Sequence, residues 1–259
     1  EMAKFIGEAD VIFCMDFNQI NRLDRVTDTA TANTTAQRVL IDHHLHPPVD
    51  GYTVQFSDTH SCSTSYIVYQ LIEALAGTDA IDQAMAEALY VGIMTDTGNF
   101  SFSNLTSDLF RAVAVLIDRG VNVPYVNSSV YDNFSEGRMR LLGYMLNDKM
   151  VTDYRYGVAY VSLTEEEMRR FNFIQGDSEG FVNYPLSIRG IRMSAMFIQT
   201  KHSIRVSLRS RGSDVDVNVF ARRYFDGGGH RNAAGGKSYV SMDETLKNFH
   251  TYLKEYFGA

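Results

Sequence analysis

Two groups of ionisable residues stand out because each directly follows a run of apolar residues. Asp16 follows Val11–Met15, and Asp42-His43-His44 follows residues 39–41. Short apolar runs interleaved with helical patterns are typical of buried parallel strands, whose carboxyl ends meet at one sheet edge and bind ligands there. A lone carboxylate such as Asp16 serves as often as a helix cap or loop residue, so its neighbours decide its interpretation.

The run Asp42-His43-His44 has no packing rationale, because at most one of three consecutive ionisable side chains could be buried comfortably. Two imidazoles and a carboxylate form a hard-to-borderline set of ligands that suits Mn, Mg or Zn. The run therefore favours a metal site, and His46 is interpreted as an exposed neighbour.

A further carboxylate, Asp96, ends a predicted helix over residues 82–95 and precedes Thr97-Gly98. A negative charge at a helix C-terminus opposes the macrodipole, so a cation there would compensate it. The alternative is a turn-forming aspartate before a glycine. Separate elements that each deliver an Asp or a His are typical of a metal site assembled by folding.

Phosphate recognition is suggested by two features of the second half. Gly227-Gly228-Gly229-His230 could form a concave anion site from backbone N–H groups, with the imidazole as an added donor. Arg209 and Arg211 lie two apart on a predicted strand and would face the same side, which suits bidentate phosphate contacts. A flexible turn and surface salt bridges are the respective alternatives.

The elements around these residues predict an α/β fold with a mostly parallel sheet flanked by helices, a connector helix, and a second, smaller mixed α/β domain. The corresponding ranges are 1–134, 135–150 and 151–259. Helices are predicted over 63–76, 82–95, 107–119, 135–149, 216–225 and 243–257. Strands are predicted over 156–163, 192–198 and 204–208. Ser63 is interpreted as the N-cap of the first of these helices, and a capping box is predicted at Thr164.

Composition narrows the function. The net charge of −7 argues against a protein that coats long duplex nucleic acid, although residues 201–231 hold seven basic and three acidic side chains. The two cysteines are too few for a disulfide framework, and no apolar run is long enough to span a membrane. We therefore expect a soluble, cytoplasmic protein that binds a small anion locally.

Taken together, the motifs resemble the DHH phosphoesterase superfamily with its DHH-associated C-terminal domain. Within it they are most similar to the oligoribonucleases, or nanoRNases, that also act as phosphoadenosine-phosphate (pAp) phosphatases. The resemblance covers nearly the whole chain. It is carried by VLIDHH at 39–44, GIMTDTG at 92–98, SLRS at 207–210 and GGGH at 227–230.

The resemblance implies roles for these residues. Two divalent ions, Mn²⁺ or Mg²⁺, would be held by Asp16, His43 and Asp96, with Asp16 as the bridge and Asp42 behind the ligands. His44 would face the phosphate and complete the catalytic set of Asp16, His43, His44 and Asp96. The substrate, a very short RNA or small nucleotide phosphate, would be held across an interdomain cleft and attacked by metal-activated water. Its contacts would be His44, Arg209, Gly228, Gly229 and His230.

One family motif is missing from the sequence. A His followed by Asp-x-Asp should precede Asp16, but residues 1–15 contain no His and, of the aspartates, only Asp10. Either an upstream segment carries that motif or the protein is degenerate, and in both cases the chain as printed is expected to bind metal poorly and to be inactive. Alternative functions are hydrolysis of a cyclic dinucleotide or polyphosphate, and nucleotide binding without catalysis. No membrane partner is expected, and a homodimer is left open.

Overall fold

The computed structural model describes residues 2–102 and 104–258. Contacts divide the chain into two units, Glu1–Asp132 and Asn133–Ala259, and each unit has its own sheet. Among the described residues, no helix combines the length and the apolar character needed to cross a membrane.

The first unit contains a parallel sheet in the order β1-β2-β3, which confirms the predicted parallel arrangement. Its strands are β1 (Val11–Met15), β2 (Gln37–Asp42) and β3 (Val54–Ser57). The sequence did not predict β3, because four residues carry too little periodicity. The helices of this unit are α1 (Met2–Glu8), α2 (Thr27–Ala32), α3 (Thr64–Ala76), α4 (Gln83–Asp96), α5 (Ser107–Asp118) and α6 (Val123–Tyr131).

Side-chain caps explain where four of these helices begin. Each of the four capping side chains accepts a hydrogen bond from the backbone N–H three residues on, and such a cap stabilises a helix by about 1 kcal/mol. The capping residues are Ser63, Asp82, Thr106 and Asn122. The apolar stripes that follow meet in one core, where Ile93, Met94, Leu109 and Leu116 are fully buried. The caps and the stripes together place the C-terminus of α4, where Asp96 lies.

The parallel sheet of the first unit is covered on one face more than on the other. Cys14 and Leu40 point to the covered face and are buried. The opposite face is apolar but exposed, with Phe13 62% and Phe56 39% accessible to solvent. Its side chains continue across the three strands, since Phe13 is in register with Val39 and Val39 with Val54. The burial expected of β1 therefore holds for Cys14 but not for Phe13 and Met15, although Ile41, in register with Met15 on β2, is buried.

The second unit surrounds a mixed sheet in the order β4-β5-β6-β7-β9-β8. Its strands are β4 (Val151–Asp153), β5 (Val158–Leu163), β6 (Met193–Gln199), β7 (Ile204–Ser210), β8 (Gly228–His230) and β9 (Ala233–Ser238). Its helices are α7 (Glu136–Tyr144), α8 (Glu165–Arg170), α9 (Val217–Tyr224) and α10 (Met242–Phe257). Both sheet faces are covered: Phe197, Phe220 and Phe249 pack in one core, and Leu141 and Met196 in the other.

The predicted helix over 135–149 is present from Glu136 to Lys149, but its winding changes in the last turn. An α-helix ends at Tyr144, and Met145–Lys149 forms a π-helical turn. The wider turn accompanies full burial of Met145 and an ion pair of Lys149 Nζ with Glu167 Oε1, 2.6 Å apart. Hydrophobic periodicity does not report such a local change in winding.

Glu167 ties this turn to α8. Its carboxylate accepts hydrogen bonds from Lys149, from the Tyr144 hydroxyl at 2.8 Å and from the Thr164 backbone N–H at 2.8 Å, the last as half of the predicted capping box. Burial alone would raise the pKa of Glu167, but these hydrogen bonds outweigh it and lower the pKa from its ordinary 4.5 to about 2.

The depressed pKa of Glu167 predicts a stability contribution that depends on pH. Since the folded state favours the charged form, the contribution is complete above the ordinary pKa and is lost as pH falls toward the folded value. We expect Glu167→Gln to lower the free energy of unfolding at pH 7 by about 2 kcal/mol, and by roughly half as much at pH 3. Urea unfolding followed by circular dichroism measures this, with the exposed Glu166→Gln as control. Equal effects of Glu167→Gln at both pH values would contradict it.

Candidate active site

Asp16 lies at the carboxyl end of β1, beside the end of β2. The two strands are parallel, and the Asp16 backbone N–H donates to the Ile41 carbonyl at 3.1 Å. Asp16 has a φ of 63°, a left-handed conformation that Asp tolerates better than most residues. Its side chain is 59% exposed, so the carboxylate is accessible at this edge of the sheet.

His43 and Asp96 complete a cluster with Asp16. His43 follows β2, and its Nε2 lies 3.6 Å from Asp16 Oδ1 and 3.9 Å from Asp96 Oδ2. Asp96 is the last residue of α4. One ligand-type atom from each of the three side chains lies within 4.8 Å of the other two. The structure thus brings together three residues that the sequence placed on separate elements.

The environment of Asp96 disfavours its negative charge. Burial raises the pKa of this carboxyl, the nearby imidazole of His43 lowers it, and Asp16 raises it further, with a net upward shift. Two carboxylates held close together repel each other unless a cation lies between them. The cluster has the electrostatics of a cation site.

Asp42 and His44 form a second pair next to the cluster. Asp42 is fully buried, and its Oδ1 lies 2.7 Å from His44 Nδ1. A hydrogen bond between these atoms orients the imidazole and directs Nε2 away from Asp42. The other carboxylate oxygen of Asp42 is also buried and lacks a hydrogen-bond partner among the described residues. Asp42 Oδ2 is therefore a polar atom whose desolvation a bound cation would offset.

These residues fit a divalent cation by the chemistry of their donor atoms. Carboxylate oxygens and imidazole nitrogens suit Mn²⁺, and carboxylate oxygens suit Mg²⁺. The buried, unpaired Oδ2 of Asp42 and the close approach of Asp16 to Asp96 are both unfavourable without a cation. Asp16, His43 and Asp96 are accordingly the residues that could bind the metal.

Sequence reasoning missed two residues that contact this cluster. The Thr64 hydroxyl donates to Asp16 Oδ1 at 3.0 Å, and the Ser61 carbonyl oxygen lies 3.3 Å from His43 Nδ1. No pattern in the sequence indicates either contact, since of the residues before α3 only Ser63 was interpreted, as a helix cap. That interpretation is confirmed for Ser63, but it gives no reason to assign Thr64 a role at the site.

Arg209 and His230 lie on one rung of the second unit's sheet. Both are in register with Ala233, across β7-β9-β8. Side chains opposite one another on a ladder share a face, and two strand spacings separate their Cα atoms by roughly 10 Å. Burial lowers the pKa of Arg209, and no carboxylate of the described residues forms an ion pair with it. A half-buried guanidinium without an acidic partner favours an anionic ligand.

The glycine run differs from the predicted turn with exposed N–H groups. Gly228–His230 is strand β8, paired with β9. The N–H of Gly227 donates to the Ala221 carbonyl at 3.3 Å and that of Gly229 to Asn218 Oδ1 at 3.0 Å, so these two donors are already used. Glycine is needed here for close packing, because a Cβ on Gly227 would lie 2.0 Å from the Gly235 carbonyl oxygen.

Comparisons with known proteins agree with this architecture. The model of the DHH family, N-terminal domain, matches residues 1–93, and that of the DHHA1 domain matches residues 153–259. A crystal structure described as an exopolyphosphatase-related protein from Bacteroides fragilis is 39% identical, with a TM-score of 0.93 over 98% of this chain and 74% of that one. This chain belongs to the DHH family.

One curated relative and one solved structure extend the comparison. The bifunctional oligoribonuclease and PAP phosphatase NrnA of Bacillus subtilis is 29% identical over 95% of this chain and 76% of its own length. RecJ of Thermus thermophilus, solved with Mn²⁺, is 11% identical with a TM-score of 0.50, over 98% of this chain and 46% of its own. The latter likeness concerns the fold alone.

Proposed function

We propose that this chain carries the catalytic and substrate-binding residues of a metal-dependent phosphoesterase that hydrolyses very short oligoribonucleotides and phosphoadenosine phosphate. The observation that carries the proposal is the cluster of Asp16, His43 and Asp96 at the carboxyl edge of a parallel sheet. The Bacillus subtilis relative is a bifunctional oligoribonuclease and PAP phosphatase, which supports the choice of substrate.

Each side chain of the site has a distinct task in this proposal. Asp16, His43 and Asp96 would hold the divalent metal, which when bound lowers the pKa of water and screens charge on phosphate oxygens. Asp42 holds His44 through the 2.7 Å contact, so the His44 ring keeps one orientation. His44 Nε2 would then contact the phosphate or pass a proton to the leaving oxygen. The burial of Asp42 keeps water from competing for this hydrogen bond.

Substrate binding is assigned to the second unit. Arg209 and His230 share a sheet face, and both would donate to a phosphate or to the nucleotide that carries it. Gly228 would allow a close approach, because a Cβ there would have no neighbour nearer than 3.5 Å. Gly229 would line the same strand through its backbone.

Inorganic polyphosphate is a second candidate substrate. The Bacteroides fragilis relative at 39% identity is described as exopolyphosphatase-related, and the same metal and cationic side chains would suit a phosphoanhydride. A panel of diadenylate, phosphoadenosine phosphate, cyclic di-AMP and polyphosphate, tested with Mn²⁺ and with excess enzyme, separates the candidates. Fastest release from diadenylate and phosphoadenosine phosphate supports the proposal. Preference for polyphosphate would replace it.

His230 offers a test of the substrate-binding role. We expect His230→Ala to lower kcat/KM for a dinucleotide by roughly 10- to 150-fold, since a charge-assisted hydrogen bond contributes about 1.5–3 kcal/mol. A small activated phosphodiester that lacks the second nucleotide should be affected much less. Single-turnover rates on both substrates measure the difference, with the exposed His202→Ala as the matched control. Equal losses on both substrates, accompanied by a lower thermal midpoint, would show that His230 is structural.

A further inference from the structure

Residues 61–65, which lead into α3 and form its first turn, contact the elements of all three candidate metal ligands. Ser61 and Thr64 are buried, and the Ser61 hydroxyl donates to the Ser63 carbonyl at 3.0 Å. Ser63 caps α3 by accepting from the Tyr66 N–H at 3.1 Å. Hydrogen bonds within the segment and to the first turn of α3 therefore fix its conformation, independently of its contacts with the candidate ligands.

Thr64 holds Asp16. Its hydroxyl donates to Asp16 Oδ1 at 3.0 Å, although the two residues are 48 positions apart in the chain. Asp16 adopts a φ of 63°, so its backbone alone would prefer another conformation. The second contact that keeps Asp16 in place is its N–H to the Ile41 carbonyl. Because the backbone N–H and Oδ1 of Asp16 are both hydrogen-bonded, its Oδ2 has a defined direction.

Ser61 holds His43. The Ser61 carbonyl oxygen is an acceptor, so the 3.3 Å contact requires the proton of the imidazole to be on Nδ1. In the neutral imidazole the lone pair is then on Nε2, which lies 3.6 Å from Asp16 Oδ1 and 3.9 Å from Asp96 Oδ2. This is the tautomer that a metal ligand needs at that nitrogen.

Ser65 sets the position of α4, which carries Asp96. A Cβ on Gly92 would lie 1.9 Å from Ser65 Oγ and 2.7 Å from its Cβ, so the two helices touch at this point. Asp96 is four residues after Gly92, about one helical turn further along α4. The close approach at Gly92 therefore fixes where the Asp96 carboxylate emerges.

From these contacts we propose that residues 61–65 form a positioning segment that preorganises Asp16, His43 and Asp96, with Thr64 as its principal side chain. The inference rests on the proposed function in one respect, namely that the three ligands bind a divalent metal. It adds that their geometry is determined by a neighbouring segment that binds neither metal nor substrate.

The first test compares Thr64→Val, which keeps shape but removes the hydroxyl, with Thr64→Ser, which keeps the hydroxyl. We expect Thr64→Val to weaken Mn²⁺ binding, measured by the electron paramagnetic resonance signal of free Mn²⁺, by about 10-fold or more. Thr64→Ser should stay within about threefold of the parent chain. Thr245→Val, which removes a buried, hydrogen-bonded hydroxyl in the second unit, is the control and should leave Mn²⁺ affinity unchanged. Parent affinity in Thr64→Val would overturn the proposal.

A metal-free measurement separates this inference from the proposed function. If the Thr64 hydroxyl acts through Asp16, Thr64→Val should lower the urea midpoint in the parent chain but not in an Asp16→Gly background, where glycine tolerates the left-handed conformation and removes the acceptor. Equal shifts in both backgrounds would overturn the positioning role. If this coupling is present in a parent chain whose Mn²⁺ binding is too weak to measure, the positioning role stands and the metal assignment is left without support.

The second test uses the helix contact. Gly92→Ala should displace α4 and weaken Mn²⁺ binding by about 10-fold or more, and adding Ser65→Gly, which removes the opposing atoms, should restore it. The double variant is informative even if Gly92→Ala alone folds poorly. A folded double variant with Mn²⁺ affinity as weak as that of Gly92→Ala would contradict the role of Ser65.

Discussion

Replacing Asp16 is expected to abolish Mn²⁺-dependent stabilisation and hydrolysis together. A ligand that binds only the folded state raises the thermal midpoint, and at 100 times its Kd it contributes about 2.7 kcal/mol. Asp16 contributes the most exposed carboxylate of the cluster, and it directly follows β1. We expect Asp16→Asn to lower the single-turnover rate by more than about 100-fold, beyond the usual effect of a residue behind the ligands.

Asparagine is the appropriate replacement because it also tolerates the left-handed conformation of Asp16, whereas alanine would add backbone strain to the loss of charge. The exposed Asp50→Asn serves as control. Differential scanning calorimetry with and without Mn²⁺, together with single-turnover hydrolysis of a dinucleotide, measures both effects. Millimolar Mn²⁺ is used so that a weak site is also occupied. Unchanged Mn²⁺ stabilisation in Asp16→Asn would show that the ligands are misassigned.

Replacing two neighbouring glycines, Gly227 and Gly228, by alanine is expected to have very different effects on the free energy of unfolding. At Gly227 a Cβ would lie 2.0 Å from the Gly235 carbonyl oxygen and 2.6 Å from Gly236 Cα, and backbone atoms cannot move aside without breaking the pairing of β8 with β9. We expect Gly227→Ala to lower the free energy of unfolding by about 3 kcal/mol or more. At Gly228 the nearest atom would be Asn218 Oδ1 at 3.5 Å, an ordinary contact.

Gly228→Ala should therefore unfold like the parent chain, and any loss of dinucleotide hydrolysis would report on substrate contact rather than on folding. Because the chain contains no tryptophan, circular dichroism is the suitable probe for urea unfolding. Similar destabilisation by both variants would show that β8 is not packed as described. Gly229 is unsuitable for the binding test, since its φ of 149° and a Cβ contact of 2.5 Å with the Ala233 carbonyl oxygen would disturb folding.

Much of the fold follows from local patterns that a single sequence contains. The runs before Asp16 and Asp42 predict parallel strands because they are short, apolar and interleaved with helices, and β1 and β2 are such strands. Helix starts were predicted where a capping side chain precedes an apolar stripe, as at Ser63 and Thr164. The predicted fold class is confirmed. The prediction succeeded because local propensity and hydrophobic periodicity agree in these segments.

What could not be predicted depends on contacts between distant segments. Strand β8 consists of glycines and a histidine, which have no strand propensity, and it exists because β9 pairs with it. Thr64 and Asp16 meet only after β1 and α3 pack, so no spacing in the sequence links them. Asp16, His43 and Asp96 were selected by their position at element ends, and their distances of 3.6 and 3.9 Å required the structure. Their assignment as metal ligands stays a prediction.

The exposed apolar face of the first unit's sheet affects the tendency of the chains to associate in solution. Phe13, Met15, Val54 and Phe56 present adjoining apolar surface to water, and attraction between such surfaces strengthens on warming and in sulfate. The net charge of −7 opposes this attraction at low ionic strength and is screened at high ionic strength. Hydrophobic attraction between these surfaces and electrostatic repulsion between the chains therefore oppose each other. Cold, low-salt solutions at neutral pH favour dispersed chains.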